Sequence, residues 1–330
     1  MDGMAPLTSV VIPVKNEEEM LRRCLESLKQ VEYPADKLEI IIADGMSRDN
    51  SKAVASSCGA KVVPNEKQIV SSGRNRGFEA ARGEIIAFTD ADCVFDKKWL
   101  FNALKYFNDE KVGGVGGITL SPHDSSFFEK AVDSIFSLAE FFRSTVHRKG
   151  QSSAQESSDI PGCNAIYRKE ALQKVMPVDE NLLTGEDVWM NLNIRKAGYK
   201  LLLVPDVILW HYRRSSPKKL LRQAYRFAVG RTQIAKKNLG LLNIFHLIAG
   251  LSIPAFLLAC IFFYIFGGID LFFEALLAIF TFFIPLISFI KTRSLITAFS
   301  VPVAILIFLS GWSAGFLREI FFPISDVKGK

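Results

Sequence analysis

Glu84-Ile85-Ile86-Ala87-Phe88-Thr89-Asp90-Ala91-Asp92 is the most informative stretch of this 330-residue chain. Its apolar part alternates little and is rich in branched and aromatic side chains, which predicts a buried strand. Carboxylates at i and i+2 leave a strand on the same face, so Asp90 and Asp92 are expected side by side. Two such acids repel each other unless a cation lies between them. A hard divalent ion, Mg2+ or Mn2+, suits that position, particularly one shared with a diphosphate. Taken alone, the pair reads more simply as an acidic loop after a strand.

Outward from it, the first 240 residues alternate strand-like and helix-like segments. Residues 9–13, 38–43, 61–63 and 84–89 read as strands. Residues 16–30, 49–58 and 71–82 read as helices, with Gly59 as a stop. This order predicts a mostly parallel sheet with right-handed crossovers, with ligands beyond the carboxyl ends of its strands. Asn16, Asp44 and Asp90 fall just past strand ends, on one rim. No G-x-G-x-x-G follows the first strand, which disfavours dinucleotide binding, and the glycine run 112–117 reads as a packed strand or bend. Residues 127–146 form an amphipathic helix candidate, suited to the sheet or to a membrane interface. The polar run 151–159 reads as a lid or acceptor loop.

Charge distribution separates a membrane surface from nucleic acid. The net charge is +6, yet residues 213–237 hold nine Lys or Arg and no acid, and residues 238–269 carry no formal charge. That juxtaposition points to a bilayer and gives no nucleic-acid partner. Three apolar spans follow, about 241–266, 271–290 and 295–316, each with one proline (Pro254, Pro285, Pro302). Lys291 and Arg293, with the preceding basic run, place residues 1–240 in the cytoplasm as a catalytic domain. Residues 241–330 form the membrane domain of a multi-pass protein of the plasma membrane. The five cysteines are scattered without C-x-x-C, which suits a reducing compartment and gives no zinc site; Cys93 reads as packing. Residues 1–8 do not read as a secretory signal.

Five blocks in order then resemble family 2 glycosyltransferases, which have the GT-A fold. They are the opening strand and turn Ser9-Val10-Val11-Ile12-Pro13-Val14-Lys15-Asn16-Glu17-Glu18 and the second strand and turn Ile40 to Ser51, with Asp44-Gly45-Met46-Ser47-Arg48-Asp49. Next come Gly73-Arg74-Asn75-Arg76-Gly77 through Asp90-Ala91-Asp92, then Pro161-Gly162-Cys163-Asn164, and finally Thr184-Gly185-Glu186-Asp187. The resemblance implies transfer from a UDP- or GDP-sugar. Pro13, Val14, Lys15, Glu17, Asp44 and Ser47 would hold base and ribose, while Arg76 (or Arg74), Asp90 and Asn164 would contact the rest of the donor. Asp90 and Asp92, with His211, would bind Mg2+ or Mn2+. Asp187 would be the base, with Glu186 orienting it or the acceptor, and the outcome would be inversion. Gln223, Arg226 and Phe227 resemble the Q-x-x-R-W motif over the acceptor, with Phe in place of Trp.

The leading expectation is a membrane-anchored, metal-dependent transferase acting on a lipid-linked or other glycan acceptor. A polyprenyl-phosphate sugar synthase is the neighbouring alternative. It attacks with a phosphate that needs little help from a base, so the Glu186-Asp187 pair argues against it. A non-catalytic nucleotide-sugar-binding or scaffold protein is the alternative of another class.

Overall fold

The structure is a computed structural model describing residues 5–141 and 153–324. Its contacts divide the chain into two compact units. Among the described residues, 5–120 and 153–211 make the first, and 121–141 and 212–324 the second. Residues 121–141 and 212–240, grouped with the catalytic half on sequence, thus belong with the C-terminal helices.

The first unit is built on one sheet. Strands β1 (Thr8–Val14), β2 (Leu38–Asp44), β3 (Lys61–Pro64), β4 (Ile85–Phe88), β5 (Cys93–Phe95), β6 (Val112–Leu120), β7 (Gln155–Glu156), β8 (Ala165–Arg168) and β9 (Lys200–His211) join it. Their order is β3-β2-β1-β4-β8-β6-β9-β5, with β7 on β9. The β3-β2-β1-β4 half is wholly parallel. Beyond it the sheet is mixed: β8 runs antiparallel to both β4 and β6, and β9 is parallel to β6 but antiparallel to β5 and β7. Helices α1 (Glu18–Leu28), α2 (Ser51–Ser57), α3 (Val70–Ala80) and α4 (Trp99–Leu104) lie between the early strands. Helices α5 (Phe127–Phe141), α6 (Lys169–Gln173), α7 (Glu186–Lys196) and α8 (Pro217–Lys237) follow.

The apolar runs fail to alternate because both sheet faces are covered. Val10, Ile12, Ile85 and Ala87 pack on one side with Leu21 and Leu25 of α1 and Trp99 of α4. Val11, Ile86 and Phe88 pack on the other with Met190 and Ile194 of α7. Two expectations change here. Gln155 and Glu156, inside the run read as a lid, pair with Leu203 and Leu202 as a short strand, while residues 151–152 lie outside the described residues. Residues 200–204 read as a strand from their apolar run, and that strand continues to His211. Pro205, which cannot donate to a ladder, falls where the β6 pairing jumps from Val204 to Ile208, so a bulge absorbs it.

In the second unit, α9 (Ile244–Gly250) and α10 (Ser252–Phe266) meet at a 58° bend. Helices α11 (Ile269–Ala278) and α12 (Ile284–Thr292) join through a π-helical turn, and α13 (Leu295–Phe321) ends the described chain. Ile269–Thr292 and Leu295–Phe321 are each long and apolar enough to cross a membrane. The bent pair would make a third crossing only as a broken span. The prolines explain much of this. Pro254 sits in the first turn of α10, beside the bend, and Pro285 follows the π turn, which relieves the contact its ring would make with the preceding turn.

Helix α8 lays its small-residue face, Ala224 and Ala228, against α13. Gly311 and Gly315 permit this: a Cβ at Gly311 would lie 2.6 Å from the Leu221 carbonyl, and one at Gly315 would meet that of Tyr225. This is the small-x-x-x-small packing of closely approaching helices. Lys236 of α8 donates to Glu319 of α13 at 2.7 Å, tying their far ends together.

Candidate active site

Parallel pairing brings the ends of β1 and β2 level, with Val14 opposite Asp44. The turns that follow are laced together. The Asn16 amide donates to Ser47 Oγ at 2.9 Å, the Arg48 amide to Asn16 Oδ1 at 2.8 Å, and the Glu17 amide to Ser51 Oγ at 3.1 Å. Asn16 and Met46 take left-handed backbone angles, φ 55° and 58°, which for Met46 costs about 1 kcal/mol. Strain of this kind recurs where a loop must hold one shape. Asp44 is almost wholly buried, accepts from the Ser47 amide at 3.1 Å and meets Lys52 Nζ at 3.3 Å. Pro13, Val14, Lys15, Glu17, Asp44 and Ser47 therefore share one built rim.

The acidic pair is arranged differently from the expectation. Residues 90–92 lie in the turn between β4 and β5, so strand alternation does not govern them. Asp90 Oδ1 lies 3.8 Å from Arg74 Nη2, whereas Asp92 Oδ1 lies 3.0 Å from His211 Nε2. The second contact follows from the ladder that sets Cys93 opposite His211. Ligand atoms of Asp92, Cys93 and His211 lie within 4.8 Å of one another, a group without Asp90. A carboxylate and an imidazole suit Mn2+ or a similar divalent ion. Burial, reinforced by Cys163 and the neighbouring acids, pushes the Cys93 thiol well above its usual range, which keeps it protonated and accords with a packing role.

Gly185, at φ 85°, delivers the chain into α7 with Glu186 and Asp187 in the first turn, where the helix dipole favours acids. Glu186 is buried and accepts from Arg74 Nη1 at 2.7 Å. Burial raises its pKa, Arg74 opposes that, and Asp187 adds to it. Asp187 is half-buried and accepts from the Val188 amide at 2.9 Å. Gly162 packs against it: a Cβ there would stand 2.5 Å from Asp187 Oδ2 and 3.0 Å from Arg74 Nη2. Arg74 also donates to the Gly162 carbonyl at 3.0 Å. One guanidinium thus touches both the acidic turn and the start of α7. Burial by itself would favour its neutral form, but Glu186, Asp90 and Asp187 outweigh that and raise its pKa further.

Other expected residues have surroundings of their own. Arg76 is exposed and pairs with Glu79 at 2.8 Å. Asn164, expected at the donor, is completely buried. It accepts from Trp99 Nε1 at 2.8 Å and donates to the carbonyls of Ile118 and Val207, so its amide holds the sheet together and has no room for a ligand. Gln223, Arg226 and Phe227 lie on α8 in the second unit, where Phe227 packs edge-on to Phe136 at 6.4 Å. Arg74 is the residue that sequence reasoning placed least well. Both arginines of that block are equally plausible anion ligands on chemistry alone.

The sheet, the laced rim and the acid-rich turn fit the GT-A fold expected from the sequence. The chain belongs to glycosyl transferase family 2, whose model matches residues 9–176, just over half its length. Among its relatives, Glycosyltransferase AglE of Haloferax volcanii is 29% identical over 240 residues, 71% of this chain and 75% of that protein. The dolichyl N-acetyl-alpha-D-glucosaminyl phosphate 3-beta-D-2,3-diacetamido-2,3-dideoxy-beta-D-glucuronosyltransferase of Methanococcus voltae is 26% identical over 246 residues, 70% of this chain and 74% of that one. Among solved structures, the mannosyltransferase PcManGT from Pyrobaculum calidifontis, in complex with GDP-Man and Mn2+, superposes with a TM-score of 0.67 at 18% identity. It covers 97% of this chain and 88% of that one, a likeness of fold.

Proposed function

We propose that this enzyme transfers a sugar, with inversion, from a nucleotide-diphosphate sugar to a lipid-linked glycan. In this reading the protein is a multi-pass protein of the plasma membrane and its first unit faces the cytoplasm. The observation that carries it is Arg74, whose two terminal nitrogens reach Asp90 at 3.8 Å and Glu186 at 2.7 Å. The turn that carries Asp90 and Asp92 and the helix start that carries Glu186 and Asp187 thereby meet at one guanidinium, which supports placing leaving-group and acceptor chemistry in one site. The relatives support the acceptor class, since the Methanococcus voltae enzyme is named for a sugar on dolichyl phosphate. The basic run at 213–237 and the apolar helices support delivery from a membrane, and the same charges support the cytoplasmic orientation.

In this account the rim of Val14, Lys15, Glu17 and Ser47 holds base and ribose, with Asp44 fixing the turn beneath the base. Asp92 and His211 would hold a divalent cation, Mg2+ or Mn2+, while Asp90 stays oriented by Arg74. A cation there would supply positive charge against the negative charge that builds on the departing nucleotide diphosphate. Asp187 accepts the proton of the acceptor hydroxyl as that oxygen attacks the anomeric carbon from the side opposite the nucleotide. One displacement with one base inverts the configuration. Glu186, already paired with Arg74, holds Asp187 in line.

A screen of UDP- and GDP-sugars with membranes and lipid-linked glycans, following both glycolipid product and released nucleotide diphosphate, tests this reading. Product extended by one inverted sugar supports it. A sugar linked directly to a polyprenyl phosphate, or binding without transfer, overturns it. Gly162→Ala is a second check. Its methyl group would fall 2.5 Å from Asp187 Oδ2 and 2.9 Å from Asp187 Cβ, so the Asp187 side chain and its attachment to α7 must shift. Turnover is expected to drop about 100-fold, the loss typical of a misplaced reacting group. The melting temperature should stay within about 5 °C of the parent.

A further inference from the structure

From the surroundings of Arg74 we infer that it is a positioning residue that holds the turn of Asp90 and the start of α7 in one fixed relation, and that it does not bind the donor diphosphate. The role rests on the glycosyltransferase reading above and goes beyond it. An arginine between acids in a nucleotide-sugar site invites assignment to the phosphates, but this one is buried and each of its terminal nitrogens already donates to a protein acceptor. Nη1 donates to Glu186 Oε1 at 2.7 Å and Nη2 to the Gly162 carbonyl at 3.0 Å, with Asp90 Oδ1 3.8 Å from the same nitrogen. Its Nε is buried without a hydrogen-bond partner, and Cζ lies 5.6 Å over the Phe88 ring, so that flank is closed as well. The residue is 3% exposed.

Three segments remote in sequence therefore converge on one planar fork: the turn after β4, the turn before β8 and the first turn of α7. Each contributes an acid or sits against one, and Gly162 lies against Asp187 itself. Without the fork, Asp90, Glu186 and Asp187 would repel one another, and α7 would lose the guanidinium that joins its start to the acidic turn. Lysine cannot replace it, because an ammonium lacks the fork that meets two acceptors in one plane.

The test compares Arg74→Lys and Arg74→Ala with the parent. Binding of UDP and of GDP, each with Mn2+, is measured by calorimetry, and transfer is measured on the substrates found in the screen. Nucleotide affinity and donor KM are expected within about threefold of the parent, with kcat lower by about 100-fold in Arg74→Lys. Guanidinium ion should restore kcat at least tenfold in Arg74→Ala and leave the parent unchanged. If Arg74→Ala fails to fold, the split between KM and kcat in Arg74→Lys still decides. Nucleotide affinity falling in step with turnover would show a diphosphate ligand and overturn the inference. Unchanged kcat would overturn it too. A parent that binds nucleotide yet transfers nothing overturns instead the reading of the enzyme on which it rests.

Discussion

Asp187→Asn is expected to lower turnover by about a thousandfold while donor affinity stays within a few-fold of the parent. The substitution keeps the shape of the side chain and its bond from the Val188 amide, since an amide oxygen accepts as a carboxylate does. What it removes is the capacity to take a proton. An alcohol attacking without a base carries that proton into the transition state, and the loss falls on kcat. The neighbouring carboxylate cannot substitute, because Glu186 is buried against Arg74 at 2.7 Å. Steady-state transfer and calorimetric binding of the nucleotide, done on the same preparation, check the split. Equal loss of affinity and turnover would place Asp187 at the donor and leave the acceptor without a base.

Asp92→Asn is expected to cost at least about a thousandfold in transfer, and addition of EDTA to the parent to cost as much. Asp92 and His211 stand 3.0 Å apart and would supply the charged and the neutral ligand of one cation. Replacing the carboxylate removes the charge while retaining an oxygen, so Mn2+ affinity, read directly by electron paramagnetic resonance, should fall together with activity. Asp90→Asn should leave Mn2+ affinity much less changed, because Asp90 faces Arg74 and lies outside the group formed by Asp92, Cys93 and His211. A larger loss of Mn2+ affinity from Asp90→Asn than from Asp92→Asn would reverse the assignment.

The parallel half of the sheet and its rim were legible in the sequence because β1, β2 and β4 are buried on both faces. Such strands stand out as unbroken apolar runs ending in polar turns. The antiparallel half was legible only in part: the runs at 112–117 and 200–204 read as strand, but β5 and β8 did not. Strand β8 is short, and β9 carries Pro205 at its bulge, so neither shows a clean period. His211 had been placed by resemblance alone, and only the pairing of β5 with β9 brings it to Asp92. Side-by-side acids were expected from strand geometry, but the pair lies in a turn, where the rule of alternate faces lapses.

The two arginines of α3 show a different limit. Gly73 and Gly77 press that helix onto Pro13 and Val11. At about 100° per residue, Arg74 and Arg76 flank this glycine face at equal angles on opposite sides. Helical phase therefore cannot say which one turns inward; the answer lies in α7, remote in sequence. Asn164 looked like a ligand residue because a buried amide and a binding amide are the same letters. The Gly311 and Gly315 pair did carry a signal, the spacing of small residues in an apolar helix, which a search for spans alone passes over.

The most direct measurement is the structure of Asp187→Asn with Mn2+ and the unhydrolysed sugar donor identified by the screen. The account predicts the cation on Asp92 and His211, and the anomeric carbon between it and the side chain at position 187. An open path for an acceptor hydroxyl should lie on the residue-187 side. A donor whose sugar faces away from residue 187, or a cation held by neither Asp92 nor His211, would contradict it.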